Sequence, residues 1–266
     1  MNPDAQPRYE LAVRAAREAG AIALRYYPDT TAAEFVSRIE WKADDSPVSL
    51  ADREAEVHLR SVLLAAFPDD GFLGEEYGDT VGTSGYRWIV DPIDGTRSFI
   101  RGIPLWATLV GLEFRGKMIA GIVVEPCLGN TYRAMLGHGA FKNDKPIRVS
   151  TVDRLKDAIL CTSDFNYFDK SGTLDTYLTL AKRVQRQRGY GDYFGFTLVA
   201  QGSADLMLDF GVHAWDVAAL IPLIQEAGGT FTDWHGVTSI DRPDVLASNG
   251  MLHEATLAVT RGSVSH

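Results

Sequence analysis

Cysteine is scarce, with Cys127 and Cys161 the two thiols in 266 residues. They form no CxxC pair, which argues against a zinc knuckle or a disulfide scaffold and predicts reduced thiols. No apolar run approaches the roughly 18 residues of a membrane span. The opening stretch Met1-Asn2-Pro3-Asp4-Ala5-Gln6-Pro7 lacks the basic-then-apolar pattern of a signal peptide. These absences predict a cytoplasmic protein with no membrane partner. Basic residues are in deficit: 26 Lys and Arg against 35 Asp and Glu leave a net charge of −9. There is no dense Lys/Arg block either, so the simplest electrostatic case for nucleic acid is missing and none is expected as a partner. Internal repeats, low-complexity tracts and Pro/Gly/Ser linkers are also lacking. What remains is 45% apolar and 23% charged, the make-up of a globular chain with a sizeable core.

Periodicity predicts one unit of two halves. In residues 1–150, Leu11, Ala15, Ala19 and Ile22 recur at helical spacing over Tyr9 to Tyr27. Ser49 with Asp52 three residues on forms an [ST]-x-x-[DE] box that opens a second helix, running to about Phe67. Trp88 to Val90, Leu105 to Leu112, Met118 to Glu125 and Thr131 to Leu136 read as strands of a mostly antiparallel sheet. Residues 151–266 alternate in the α/β manner. Strands are predicted at Ala158 to Cys161, Ala204 to Phe210, Thr230 to Thr232 and Val245 to Ala247, and helices at Leu174 to Arg188 and Trp215 to Ala227. Pro222 inside the last of these is expected to cost a hydrogen bond and kink it.

The densest chemical feature is Trp88-Ile89-Val90-Asp91-Pro92-Ile93-Asp94-Gly95-Thr96. A buried strand delivers Asp91, Pro92 is expected to force a turn, Asp94 faces back, and Gly95-Thr96 starts a helical turn. Two carboxylates and a carbonyl beside a helix start suit a hard cation and an anion on backbone donors. Asp-Pro followed by Asp-Gly is also ordinary turn chemistry. Gly74-Glu75-Glu76 is either a solvated loop or brings a carboxylate to the Asp91 site. Asp216 in Trp215-Asp216-Val217-Ala218 is either an N-cap or a ligand, and Asp52 is either a capping acid or a member of the same site. Taken together, Asp52, Glu75, Asp91, Asp94 and Asp216 suit one site for Mg²⁺ acting on a phosphate ester.

With Lys42 and Ser46-Pro47-Val48, these segments resemble the inositol monophosphatase superfamily, in an order that spans most of the chain. The resemblance implies a layered αβαβα sandwich, of the inositol monophosphatase and fructose-1,6-bisphosphatase type, in an α+β and α/β arrangement. It also implies a homodimer with two to three Mg²⁺ ions and a small phosphorylated metabolite as substrate. Glu75, Asp91 and the Ile93 carbonyl would hold the first ion, and Asp91, Asp94 and Asp216 the second. Glu75 and Glu76 would assist a third. Asp94, Gly95 and Thr96 would bind phosphate, and the Thr96 hydroxyl with Asp52 would orient the attacking water, making Asp52, Glu75 and Thr96 the catalytic set.

Other phosphatase and cofactor patterns fail. The second acid lies three residues after Asp91, not the two of haloacid-dehalogenase phosphatases, and Gly189-x-Gly191 lacks the third glycine of a dinucleotide loop. A P-loop and HExxH are absent, and His213 beside Asp216 reads as an ordinary polar residue. A non-catalytic anion-binding protein would be favoured by loss of Asp52, Thr96 or a ligand, and all are present.

The alcohol is a separate question. Where inositol monophosphatases carry a small-residue run, this chain has Gly191-Asp192-Tyr193-Phe194. Arg188 to Tyr193 and Arg97 to Trp106, with weaker support from Ala247 to His253, look more like the histidinol-phosphate phosphatase branch. Asp192 beside the Tyr193 ring would bind the cationic alcohol of L-histidinol phosphate. Alternatively Asp192 caps a helix and Tyr193 is a core aromatic. Inositol phosphate, fructose 1,6-bisphosphate and adenosine 3′,5′-bisphosphate are the competing substrates.

Overall fold

The computed structural model describes residues 4–28, 40–41, 47–48 and 50–261. Lys42, Ser46 and the Ser49 cap lie outside the described residues. Helix α1 (Ala5–Leu24) and helix α2 (Leu50–Ala66) pack side by side. Their buried stripes, Ala12, Ala15, Ala19 and Ala23 on α1 and Ala51, Ala55, Leu59 and Leu63 on α2, follow the helical period. Small alanines bring the two helices close together.

A short pair, β1 (Glu40–Trp41) and β2 (Pro47–Val48), precedes α2. Eight strands then form the larger sheet: β3 (Gly71–Gly74), β4 (Gly78–Thr80), β5 (Tyr86–Asp94), β6 (Ala107–Phe114), β7 (Lys117–Glu125), β8 (Asn130–Met135), β9 (Gly139–Lys142) and β10 (Lys145–Pro146). Their order is β10-β9-β8-β7-β6-β5-β3-β4, antiparallel except for the parallel pair β3–β5. A smaller sheet has the order β12-β11-β13-β15-β14, from β11 (Ile159–Thr162), β12 (Arg186–Arg188), β13 (Leu206–Phe210), β14 (Thr230–Thr232) and β15 (Asp244–Ser248). β11 runs parallel to both of its neighbours.

Three cores separate five layers. The first lies between the α1/α2 pair and one face of the large sheet, around Trp88, Val110 and Ile122. The remaining helices are α3 (Thr96–Phe99), α4 (Phe165–Lys170), α5 (Leu174–Ala181), α6 (Asp192–Ala200), α7 (Ala214–Val217), α8 (Leu220–Glu226) and α9 (His253–Thr260), of which α6, α7 and α8 fill the space between the opposite face of the large sheet and the small sheet. Their core joins Leu109 and Val123 of one sheet to Met207 and Ala247 of the other. The third core seats α4, α5 and α9 on the far side of the small sheet, around Leu208, Phe168 and Trp234. The result is the αβαβα sandwich.

Three local expectations change. Pro92 does not end its strand: β5 continues to Asp94, and the register slips between Asp91, opposite Leu109, and Asp94, opposite Ala107. Proline has no N–H to offer a ladder, and a bulge is where its absence is tolerated. The helix expected over Leu174 to Arg188 stops at Ala181, because Arg186, Gln187 and Arg188 pair with β11 as an edge strand. Tertiary pairing overrides propensity there. The helix expected over Trp215 to Ala227 is two, broken at Ala218-Ala219. The restart at Leu220 places Pro222 in a first turn, where a missing N–H costs nothing. A side chain on Gly121 would overlap the Ala219 backbone, so glycine lets this junction rest directly on the sheet.

Candidate active site

The bulge in β5 builds the centre of the site. Residues three apart on a regular strand face opposite sides, and one inserted residue restores them to the same side. Asp91 and Asp94 thus converge, and with Asp216 they offer carboxylate oxygens within 4.8 Å of one another. Asp91 is locked in place by the Ile93 N–H, which donates to its Oδ1 at 3.0 Å. Thr108 Oγ1 donates to the Pro92 carbonyl at 2.8 Å and holds the bulge from behind. Asp94 Oδ2 accepts the Tyr193 N–H at 2.6 Å. Asp216 comes from α7, where its Oδ2 accepts the His213 N–H at 2.7 Å. Asp216 therefore occupies the third helical position and supports the cap from there. His213 holds the cap position and stacks on Trp215.

Burial pushes the Asp91 carboxyl well above its usual range, and the charges of Glu75, Asp94, Asp216 and Asp52 push it further. The other four predicted acids therefore lie close enough to raise Asp91. Burial, then Asp192 and Asp216, do the same to Asp94, against the hydrogen bond from Tyr193. Asp52 is buried on α2, and Glu75 is half-buried on the turn after β3. Such a cluster of like charges, on oxygen donors alone, fits a hard divalent cation.

Gly95, at φ +86°, leads into α3. Thr96 Oγ1 donates to the Ile93 carbonyl at 2.9 Å, so the hydroxyl and the carbonyl expected to serve the site touch each other. Asp192 opens α6 at φ +53°, while Gly191 takes the cap position. Its carboxylate lies against Gly95, within 3.3 Å of where a side chain there would begin. Burial and the Asp216 charge raise Asp192 to about 6, with Arg97 opposing. Tyr193 requires a correction: its side chain is fully buried in the middle core, so its ring does not face a substrate. It serves Asp94 through its backbone instead, because an inward-facing residue in the first turn of α6 still directs its N–H outward.

Two acids were missed. Asp209 on β13 is buried and takes the Ser163 hydroxyl and the Phe210 N–H. Burial, with Asp192 and Asp216, raises it to about 7. Glu56 on α2 is buried and accepts the backbone N–H groups of Glu76 and Tyr77. Each carried a signal: an acid inside the apolar run Leu206-Met207-Leu208-Asp209-Phe210, and an acid on the inward stripe of a helix.

Known proteins agree with this geometry. The profile of the inositol monophosphatase family matches residues 4–265. A histidinol-phosphatase of Chlorobaculum parvum is 38% identical over 264 residues, covering 98% of each chain. An inositol-1-monophosphatase of Mesorhizobium japonicum is 35% identical over 233 residues, covering 86% of this chain and 88% of the other. The solved structure of the extragenic suppressor protein suhB from Bartonella henselae superposes with a TM-score of 0.86 at 32% identity, over 95% of this chain and 97% of that one. The match of the family profile over almost the whole chain and the full-length relative place the chain in the inositol monophosphatase family, as a phosphoric monoester hydrolase.

Proposed function

We propose that the chain is a Mg²⁺-dependent histidinol-phosphatase, releasing L-histidinol and phosphate. The observation that carries the metal is the convergence of Asp91, Asp94 and Asp216. Glu75, Asp91 and the Ile93 carbonyl would hold one ion, and Asp91, Asp94 and Asp216 a second, with Glu75 and Glu76 assisting a weaker third. Bound Mg²⁺ offsets phosphoryl charge and makes water a better nucleophile. The chain supplies the rest. Gly95 and Thr96 present N–H groups to the phosphate at the start of α3. The Thr96 hydroxyl, once it leaves Ile93, would pair with Asp52 to orient the attacking water. No covalent protein intermediate is needed.

The substrate reading rests on Asp192. Its carboxylate flanks Gly95, beside the proposed phosphate position. A cationic alcohol gains more from that carboxylate than a neutral polyol does. The full-length similarity to a histidinol-phosphatase supports the same choice. Similarity to an inositol-1-monophosphatase keeps myo-inositol 1-phosphate as the second reading. On this proposal the two halves work as one unit, in a cytoplasmic homodimer. Among the described residues, no helix is long and apolar enough to cross a membrane. A panel of histidinol phosphate, myo-inositol 1-phosphate, fructose 1,6-bisphosphate and adenosine 3′,5′-bisphosphate, with and without Mg²⁺, tests the assignment. Highest kcat/KM on histidinol phosphate supports it, and a large preference for any of the other three overturns it.

A further inference from the structure

We infer that Glu56 and Arg60 are positioning residues, through which α2 holds the Glu75 turn in place for its cation. Asp52, Glu56 and Arg60 are spaced four apart on α2, along one helical face. The first belongs to the acid cluster, and the other two grip the β3–β4 hairpin. Glu56 is fully buried, and its two carboxylate oxygens are divided between two amides. Oε2 accepts the Glu76 N–H at 2.8 Å, and Oε1 accepts the Tyr77 N–H at 3.1 Å. The carboxylate fills the space beside Gly74, where any side chain would overlap it. Arg60 donates to Thr80 Oγ1 at 2.8 Å and to the Gly78 carbonyl at 3.3 Å, with its guanidinium 4.5 Å from the Phe72 ring centre.

Glu75 sits between these anchors, after Gly74 and before Glu76. Its charge bears on Asp91 and Asp94, which repel it when no cation is present. An untethered turn relieves that repulsion by swinging outward. Two backbone N–H hydrogen bonds to the buried Glu56 carboxylate, and the Arg60 guanidinium gripping β4, oppose that swing, so the ordering cost is met before the ion arrives. The inference rests on the reading of Glu75 as a metal-facing carboxylate.

Glu56→Gln tests it, since the amide keeps the shape and turns one acceptor into a donor. The half-saturating Mg²⁺ concentration for turnover is expected to rise about tenfold, with excess Mg²⁺ restoring most of the turnover. The Mg²⁺-induced rise in Tm should need correspondingly more ion, a readout independent of catalysis. Arg60→Gln should shift both in the same direction by less, and it carries the test alone if Glu56→Gln does not fold. A variant whose metal-free Tm falls while its Mg²⁺ dependence stays at the wild-type value overturns the inference. Glu75→Gln separates the two levels. If it shifts the Mg²⁺ dependence and Glu56→Gln does not, positioning fails and the metal reading stands. If Glu75→Gln shifts nothing, the metal reading of Glu75 fails and positioning fails with it.

Discussion

The backbone N–H of Tyr193 donates to Asp94 Oδ2 at 2.6 Å, joining residues 99 apart in sequence. Through this bond the first turn of α6 is fixed to the bulge of β5. The same turn carries Asp192, so the residue proposed to read the alcohol is tied directly to one proposed to hold the metal. On that proposal, substrate choice and metal binding are adjacent in space but belong to different side chains.

That separation makes Asp192→Asn informative. Losing the charge removes a charge-assisted contact worth about 1.5–3 kcal/mol, about 10- to 100-fold in kcat/KM for histidinol phosphate. Hydrolysis of a neutral-alcohol ester should change less than about threefold. Equal losses on both substrates would assign Asp192 a structural role.

Asp91→Asn should behave differently. Turnover of every ester falls about 100-fold or more, because Asp91 serves both proposed ions. The metal-free protein should keep or gain thermal stability, since a buried like charge leaves the cluster. A Tm loss as large as that of a core truncation would show that Asp91 is structural.

Stability against pH follows from the same cluster. Asp192 is raised to about 6 and Asp209 to about 7, from an ordinary 3.8, and Asp91 and Asp94 are raised well above it. Between the ordinary and raised values the folded state binds more protons than the unfolded state, so stability falls as pH rises through that window. Metal-free protein should lose Tm from about pH 4 to about pH 7, and Mg²⁺ should raise Tm more at the upper end. His253, lowered by burial, has the opposite sign: its contribution is present above 6.5 and lost as pH falls. Scanning calorimetry on the His253→Gln background isolates the carboxylates. A Tm that climbs with pH in chelator on that background contradicts the assignment.

Gly121→Val tests how Asp216 is seated. The new side chain meets the Ala219 carbonyl and pushes the α7–α8 junction off the sheet. Overpacking of this kind costs about 1–3 kcal/mol, measurable by urea denaturation. Because Asp216 rides on α7, kcat should fall at the same Mg²⁺ concentration. Wild-type stability together with wild-type kcat would mean that the junction does not set Asp216.

Much of the site was legible because its chemistry is concentrated in short segments. Asp91, Asp94 and Asp216 stand in motifs whose neighbours, a buried strand and a helix start, are visible as residue types. The bulge was not legible, since Asp-Pro-Ile-Asp reads equally as a turn, and only pairing with Leu109 and Ala107 decides between them. Tyr193 was misread because burial depends on which face of α6 meets the middle core. Glu56 looked like one charge among several in Arg53-Glu54-Ala55-Glu56. Its partners are backbone amides of a distant turn, which no spacing rule exposes. The break at Ala181 came from edge pairing, a tertiary effect that outweighs helix propensity, whereas the break at Ala218 is local and puts Pro222 in a first turn.

The most direct measurement is a crystal structure of the protein grown with Mn²⁺ and phosphate, with anomalous scattering used to place the ions. The account predicts peaks bounded by the carboxylates of Asp91, Asp94 and Asp216, with phosphate at the Gly95 and Thr96 amides. Strong anomalous peaks elsewhere, with these three side chains contacting none of them, would contradict it.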